Sequence, residues 1–170
     1  RGLPLDEQLA RGLEILGVRC GYHGLMRGDF VPLDSRAVGG ILTRGGTILG
    51  TARAPEFQAD AGKTQAIEQL TARDIGGLVV IGGNGSQTGA LGLSLRGFPV
   101  VGVASTIDND LAGCDITIGV DTALGVIVEA IDRLRDTASS HHRAFVVETM
   151  GRGSGYLALR AAVATGAELA

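Results

Sequence analysis

The feature that most constrains this chain is a rhythm: a short apolar run, then a loop rich in glycine and polar residues, then a helical stretch. It is clearest where Leu78–Ile81 leads into Gly82-Gly83-Asn84-Gly85-Ser86 and a helical pattern to about Leu95. A wholly apolar run of this length suits a strand buried in a parallel sheet. The rhythm returns at Pro99–Val103, followed by Ala104-Ser105-Thr106-Ile107-Asp108-Asn109-Asp110. It returns again at Ala144–Glu148, followed by Met150-Gly151-Arg152-Gly153-Ser154-Gly155. Strands alternating with helices imply right-handed crossovers and a parallel sheet. The expected fold is therefore α/β, a three-layer Rossmann-like domain with a mostly parallel sheet. In such a sheet the carboxyl ends of the strands open on one edge, so loops 82–86, 104–110 and 149–155 are expected to converge.

The remaining segments are read more coarsely. Residues 5–13 read as the end of a helix, Ile15–Arg19 as a strand, Gly21–Gly28 as a loop and Arg44–Thr47 as a turn. Lys63–Arg73 is a helix with Ile67 and Leu70 on one face. Asp121 is the expected N-cap of a helix over 122–135, lined by Leu124, Ile127, Ile131 and Leu134. Glu129 and Arg133 form a favourable i,i+4 pair on it. A last helix covers about Tyr156–Val163.

A chain of 170 residues suits one domain, and 45% apolar with 19% charged residues supports a packed core. The net charge of -3 argues against a general nucleic-acid or membrane-surface binder. No apolar run approaches the roughly 20 residues of a membrane helix. Only Lys63 among the 15 basic residues is a lysine, so anion sites must rest on arginine forks and backbone N–H groups. Cys20 and Cys114 show no metal or redox spacing and read as free thiols of a reducing, cytoplasmic compartment. The chain opens at Arg1, without a secretory pattern or an initiator Met, inside what reads as a helix. A missing start is expected.

Each loop has a chemistry. Gly82–Ser86 links a strand to a helix, where glycines let the backbone approach an anion and helix N–H groups face it. No Lys follows, so it is not a Walker A motif. Asp108 and Asp110 flank Asn109 on one short loop. A solvated turn is the plain reading. The functional one is a general base beside a phosphate or metal, since a hydroxyl attacking a phosphoryl group needs a carboxylate to take its proton. Thr106 is placed to donate to the moving phosphate. Arg152, between glycines, is either a surface arginine or a fork that matches phosphate. His141 and His142, beside Arg143, read as solvated or capping groups rather than zinc ligands. Together the loops specify a phosphate-handling enzyme without naming its sugar.

Thr106-Ile107-Asp108-Asn109-Asp110 resembles the catalytic signature of the 6-phosphofructokinases. So do Gly28-Asp29-Phe30, the run Arg44-Gly45-Gly46-Thr47-Ile48-Leu49-Gly50-Thr51-Ala52-Arg53, Arg135-Asp136-Thr137-Ala138 and Met150-Gly151-Arg152. Their order and spacing match over nearly the whole chain. The resemblance implies phosphoryl transfer from ATP to the 1-hydroxyl of fructose 6-phosphate, a step of glycolysis in the cytoplasm. It implies that Asp108 takes the hydroxyl proton, that Thr106, Ile107 and Asp108 line the sugar and moving phosphate, and that Arg152 stabilises the transition state. Met150 and Gly151 would shape the sugar pocket. Arg143 would reach fructose 6-phosphate across a subunit interface, which implies a homo-oligomer, a tetramer in the bacterial family. Arg53, Ala54, Gly83, Asn84, Gly85 and Ser86 would hold the nucleotide. Arg135, Gly166 and Glu168 match an ADP effector site, making the enzyme allosteric.

Two departures stand out. The family usually has an Asp that holds magnesium where this chain has Asn84. An amide oxygen is a neutral, weaker ligand for a hard cation. The family also has a first strand with a nucleotide loop, and a second domain, that these residues lack. On this reading residues 1–170 are a partial N-terminal nucleotide- and sugar-phosphate-binding domain, marginally stable and inactive alone. Gly85 and Ser105 favour ATP over pyrophosphate as donor, the alternatives being a pyrophosphate-dependent phosphotransferase or a non-catalytic relative that binds phosphate ligands.

Overall fold

A computed structural model describes residues 12–170. Most of the helix expected over 5–13 lies outside the described residues. The chain divides into two units, one including residues up to Leu78 with Gly92–Pro99, the other Val79–Leu91 with Val100–Ala170.

In the first unit, β1 (Leu16–Val18) pairs antiparallel with β2 (Phe30–Pro32), with Gly17 opposite Val31. The connection is a helix, α1 (Gly21–Arg27), and not the expected loop. Its glycines read as breakers, yet tertiary contact overrides propensity here. Leu25 and Met26 are buried, and a Cβ on Gly24 would lie 1.7 Å from the Arg19 carbonyl oxygen, so only glycine fits that crossing. The helix closes with Gly28 left-handed and the Asp29 N–H donating to the Gly24 carbonyl. Residues 44–47 form open chain with a bend at Gly46, and a short 3-10 turn, Pro55–Gln58, follows. It places Phe57 in the core, its ring stacked on Tyr22 at 3.9 Å between centroids. α2 (Asp60–Ala72) buries Ala66 and Leu70, and Leu93 joins the same unit's core. Burying a leucine of this kind contributes about 2 kcal/mol. Arg73 leans over the Phe30 ring and donates to the Gly28 carbonyl.

The second unit is built on β3 (Leu78–Gly82), most of which belongs to it, and β4 (Val100–Ala104). Leu78 N–H bonds Pro99 and Ser105 N–H bonds Gly82, so the pairing advances in the same direction on both strands and is parallel. A parallel bridge between Ser105 and Ile118 extends it. The molecule is thus mixed α/β with a parallel sheet, as the alternating pattern required. One expectation fails in degree. Val79 and Ile81 are 62% and 67% exposed, so β3 is covered on one face rather than both among the described residues.

α3 (Asn84–Ser94) begins two residues after β3. α4 runs over Val120–His141, longer than the expected 122–135. Its N-cap is Gly119 and not Asp121, which sits in the first turn, where a carboxylate suits the helix dipole. The extra turns carry back-bonds from Ser140 Oγ to the Asp136 carbonyl and between His141 Nδ1 and the Thr137 carbonyl. The expected Glu129–Arg133 ion pair is present. Leu124, Ile127 and Ile131 are half-buried, whereas Leu134 is exposed. α5 (Tyr156–Thr165) packs on α4 and buries Leu157, Ala161 and Thr165.

Residues 144–148 form no strand. The apolar run suggested one, but a strand exists only when its backbone groups pair, and among the described residues this segment has no partner row. Val146 is fully exposed as a result.

Candidate functional site

The second unit brings the three loops together. The first is short, because α3 starts at Asn84 and leaves Gly83 as the link from β3. A Cβ on Gly83 would lie 3.2 Å from Thr106 Cβ, which shows how closely the first loop approaches the second. Asn84 Nδ2 donates to Asp110 Oδ2 at 2.6 Å, a second tie between them. Gln87 Nε2 lies within hydrogen-bond reach of the Val80, Gly82 and Val103 carbonyls and so laces the carboxyl ends of β3 and β4.

The third loop meets Asp108. A Cβ on Gly151 would stand 3.8 Å from Asp108 Oδ1, and the residue's φ of 108° is open only to glycine in practice. Ser154 and Gly155 N–H groups both donate to the Gly151 carbonyl, closing a tight turn before α5. The convergence expected from a parallel sheet therefore occurs, although no strand leads into the third loop.

Within the second loop, Asp108 is half-buried, and its N–H donates to Thr106 Oγ1 at 3.2 Å. Thr106 Oγ1 thus accepts from the chain while its own hydrogen is left to donate outward. The Asp108 carboxylate makes no hydrogen bond or ion pair among the described residues and stays available as an acceptor. Ile107 is half-buried beside them. Arg152 and Met150 are exposed on the third loop, and Arg152 has no hydrogen bond or ion pair among the described residues. Arg143 is exposed just after α4, its N–H donating to the Ala138 carbonyl. Gly85 and Ser86 lie in the first turn of α3. Arg53 and Ala54 lie in the other unit, before the 3-10 turn.

Arg135 Nη1 donates to the Thr165 carbonyl at 2.5 Å, and Gly166 lies close to the same guanidinium. Two of the three expected effector residues therefore meet where α4 and α5 pack, while Glu168 is exposed beyond them. Gln87 and Thr117, of which Thr117 is 1% exposed and bonds Thr106 and Asn109, are not marked by the sequence. Nothing in the local pattern marks either as a partner of distant carbonyls.

A fit to a resident divalent cation can be tested at Asn84. Such an ion needs oxygen lone pairs on all sides. Here the amide turns an N–H donor toward Asp110, and no group of three His, Cys, Asp or Glu residues converges among the described residues. The side chains at this point do not fit a resident magnesium ion.

The phosphofructokinase family model matches residues 5–170. The chain is 55% identical over 157 residues to an ATP-dependent 6-phosphofructokinase of Lysinibacillus sphaericus, covering 92% of this chain and 49% of that protein. It is 54% identical over 160 residues to one of Streptococcus uberis, covering 94% of this chain and 48% of that protein. It spans about half the length of these curated relatives. Among solved structures, phosphofructokinase from Saccharomyces cerevisiae superposes with a TM-score of 0.84 at 40% identity, over 94% of this chain and 25% of that one. A pyrophosphate-dependent phosphofructokinase from Marinobacter aquaeolei, at 23% identity and a TM-score of 0.78 over 94% of this chain and 43% of that one, shares the fold.

Proposed function

The chain belongs to the phosphofructokinase family, and from that premise we propose that it serves phosphoryl transfer from ATP to the 1-hydroxyl of fructose 6-phosphate. The products are fructose 1,6-bisphosphate and ADP, in the cytoplasm. Residues 1–170 supply the N-terminal nucleotide- and sugar-phosphate-binding part of that activity.

The single observation that carries the reading is the contact of three loops around Asp108, with Thr106 on one side and Gly151 on the other. Asp108 takes the proton of the sugar 1-hydroxyl as that oxygen bonds to the γ-phosphorus, and the bond to the ADP oxygen breaks. Thr106 donates its hydroxyl hydrogen to the phosphoryl oxygens. Arg152, whose guanidinium has no partner among the described residues, meets the charge that develops there. Ile107, Met150 and Gly151 wall the sugar. Arg143 reaches the sugar phosphate of a neighbouring subunit in a homo-oligomer. Gly83, Gly85 and Ser86, with Asn84, offer the start of α3 to the nucleotide phosphates. Arg135, Gly166 and Glu168 receive an ADP effector.

ATP is favoured as donor because the bacterial relatives above are ATP-dependent. One observation favours a second reading, a non-catalytic relative that binds phosphate ligands: Asn84, which stands where the family usually has an Asp, gives its amide N–H to Asp110. The deciding experiment is coupled ADP release from ATP and fructose 6-phosphate with magnesium, on the longest natural chain containing this segment, beside Asp108→Ser. Turnover that falls by about three orders of magnitude or more in the variant supports the kinase and its base. Binding of nucleotide or sugar phosphate without turnover, from ATP or pyrophosphate, moves the assignment to the regulatory relative.

A further inference from the structure

Both shoulders of Asp108 are tied to one buried residue. Thr117 Oγ1 donates to the Thr106 carbonyl at 2.5 Å, and the Thr117 N–H donates to Asn109 Oδ1 at 2.9 Å. Oγ1 also lies 3.2 Å from Asn109 Oδ1. A hydroxyl has one hydrogen, and the shorter contact claims it, so the link to Asn109 rests on the backbone N–H. Asn109 Nδ2 in turn reaches the Asp115 carbonyl at 3.3 Å. Asn109 holds a left-handed backbone, φ 49°, which asparagine adopts more readily than other side-chain-bearing residues.

These bonds hold the chain on both sides of Asp108. Thr106 before Asp108 and Asn109 after it are pinned, and Asp108's own N–H is held by Thr106 Oγ1. The carboxylate between them is left without a partner among the described residues. At 1% exposure Thr117 has no water to replace these bonds, so loss of its hydroxyl takes the Thr106 carbonyl's partner away.

We propose that Thr117 and Asn109 are positioning residues that fix the Asp108 carboxylate for proton transfer, a proposal that rests on the reading of Asp108 as the base. A catalytic group displaced by ~1 Å loses about 10²-fold in rate, while substrate binding through other contacts is spared.

The test uses the longest natural chain containing this segment, with Thr117→Val, Thr117→Ser, Asn109→Gly and Asp108→Ser. Asn109→Gly keeps the left-handed backbone and removes only the amide. Thr117→Val and Asn109→Gly are expected to lower kcat by about 10- to 100-fold with KM for fructose 6-phosphate within about threefold. Thr117→Ser, which keeps the hydroxyl, stays within about threefold of the parent. Hydrogen exchange across residues 105–117 speeds up in Thr117→Val and Asn109→Gly but not in Asp108→Ser. Unchanged kcat in Thr117→Val and Asn109→Gly, with Asp108→Ser inactive, overturns the brace and leaves the base standing. Full turnover in Asp108→Ser removes the base and the proposal with it. If Thr117→Val does not fold, Asn109→Gly and Thr117→Ser decide.

Discussion

Asn84 and Asp110 meet across 2.6 Å, an amide N–H on the first turn of α3 given to a carboxylate at the end of the loop after β4. Replacing Asn84 by Asp exchanges an attraction for two facing carboxylates. Asn84→Asp is expected to bind Mn2+ at least about tenfold more tightly than the parent, by calorimetry without nucleotide. Without metal, its melting temperature falls below the parent's and recovers when Mn2+ is added. Equal affinity in the two proteins would mean that residues 84 and 110 never share a cation.

Arg152 stands exposed, and its guanidinium has no partner among the described residues. If it meets charge only in the transition state, Arg152→Ala lowers kcat by about 10²- to 10³-fold with a smaller change in KM. Arg152→Lys recovers only part, because an ammonium lacks the planar fork. Coupled ADP release measures both. A rise in KM alone would assign the side chain to ground-state binding instead.

Tyr22, stacked on Phe57, has its phenol pushed up to about 12 by burial. The folded state then holds the proton more tightly than the unfolded state, whose tyrosine titrates near 10. The resulting stability is complete below about pH 10 and is lost as the pH rises toward about 12. Denaturant titrations at pH 9 through 11.5, comparing the parent with Tyr22→Phe, should show a steeper loss for the parent. Parallel curves would place the phenol in water.

Gly24 has no room for a side chain against the Arg19 carbonyl. Gly24→Ala is expected to lower unfolding free energy by about 3 kcal/mol, because α1 must shift from the β1 end that it crosses. Urea unfolding followed by circular dichroism checks this. A loss of under about 0.5 kcal/mol would mean that α1 is free to move away.

The site was legible in the sequence where chemistry is local. Gly83, Thr106, Asp108, Gly151 and Arg152 are marked by residue type, and alternation of strand and helix put their loops on one sheet edge. The α1 helix was not legible, because glycines at 21, 24 and 28 look like breakers until Leu25 and Met26 are seen to bury themselves. The run 144–148 misled in the opposite sense, since apolar composition cannot supply a pairing partner. Thr117 and Gln87 were invisible, because a buried polar group acquires its meaning only from the carbonyls it meets in space. The meeting of Arg135 with Gly166 depends likewise on how α4 and α5 pack.

The uncovered face of β3 has a consequence for handling the molecule. Val79 and Ile81 stand out beside Val101 of β4, three exposed apolar side chains on two paired strands. Water gains entropy when such a face is hidden, and another copy hides it as well as anything else. The chain's working life in a test tube is therefore a matter of dose and time. Dilution, early addition of a holdase chaperone, or a single charge at position 79 should keep it dispersed, where concentration alone would drive it from solution.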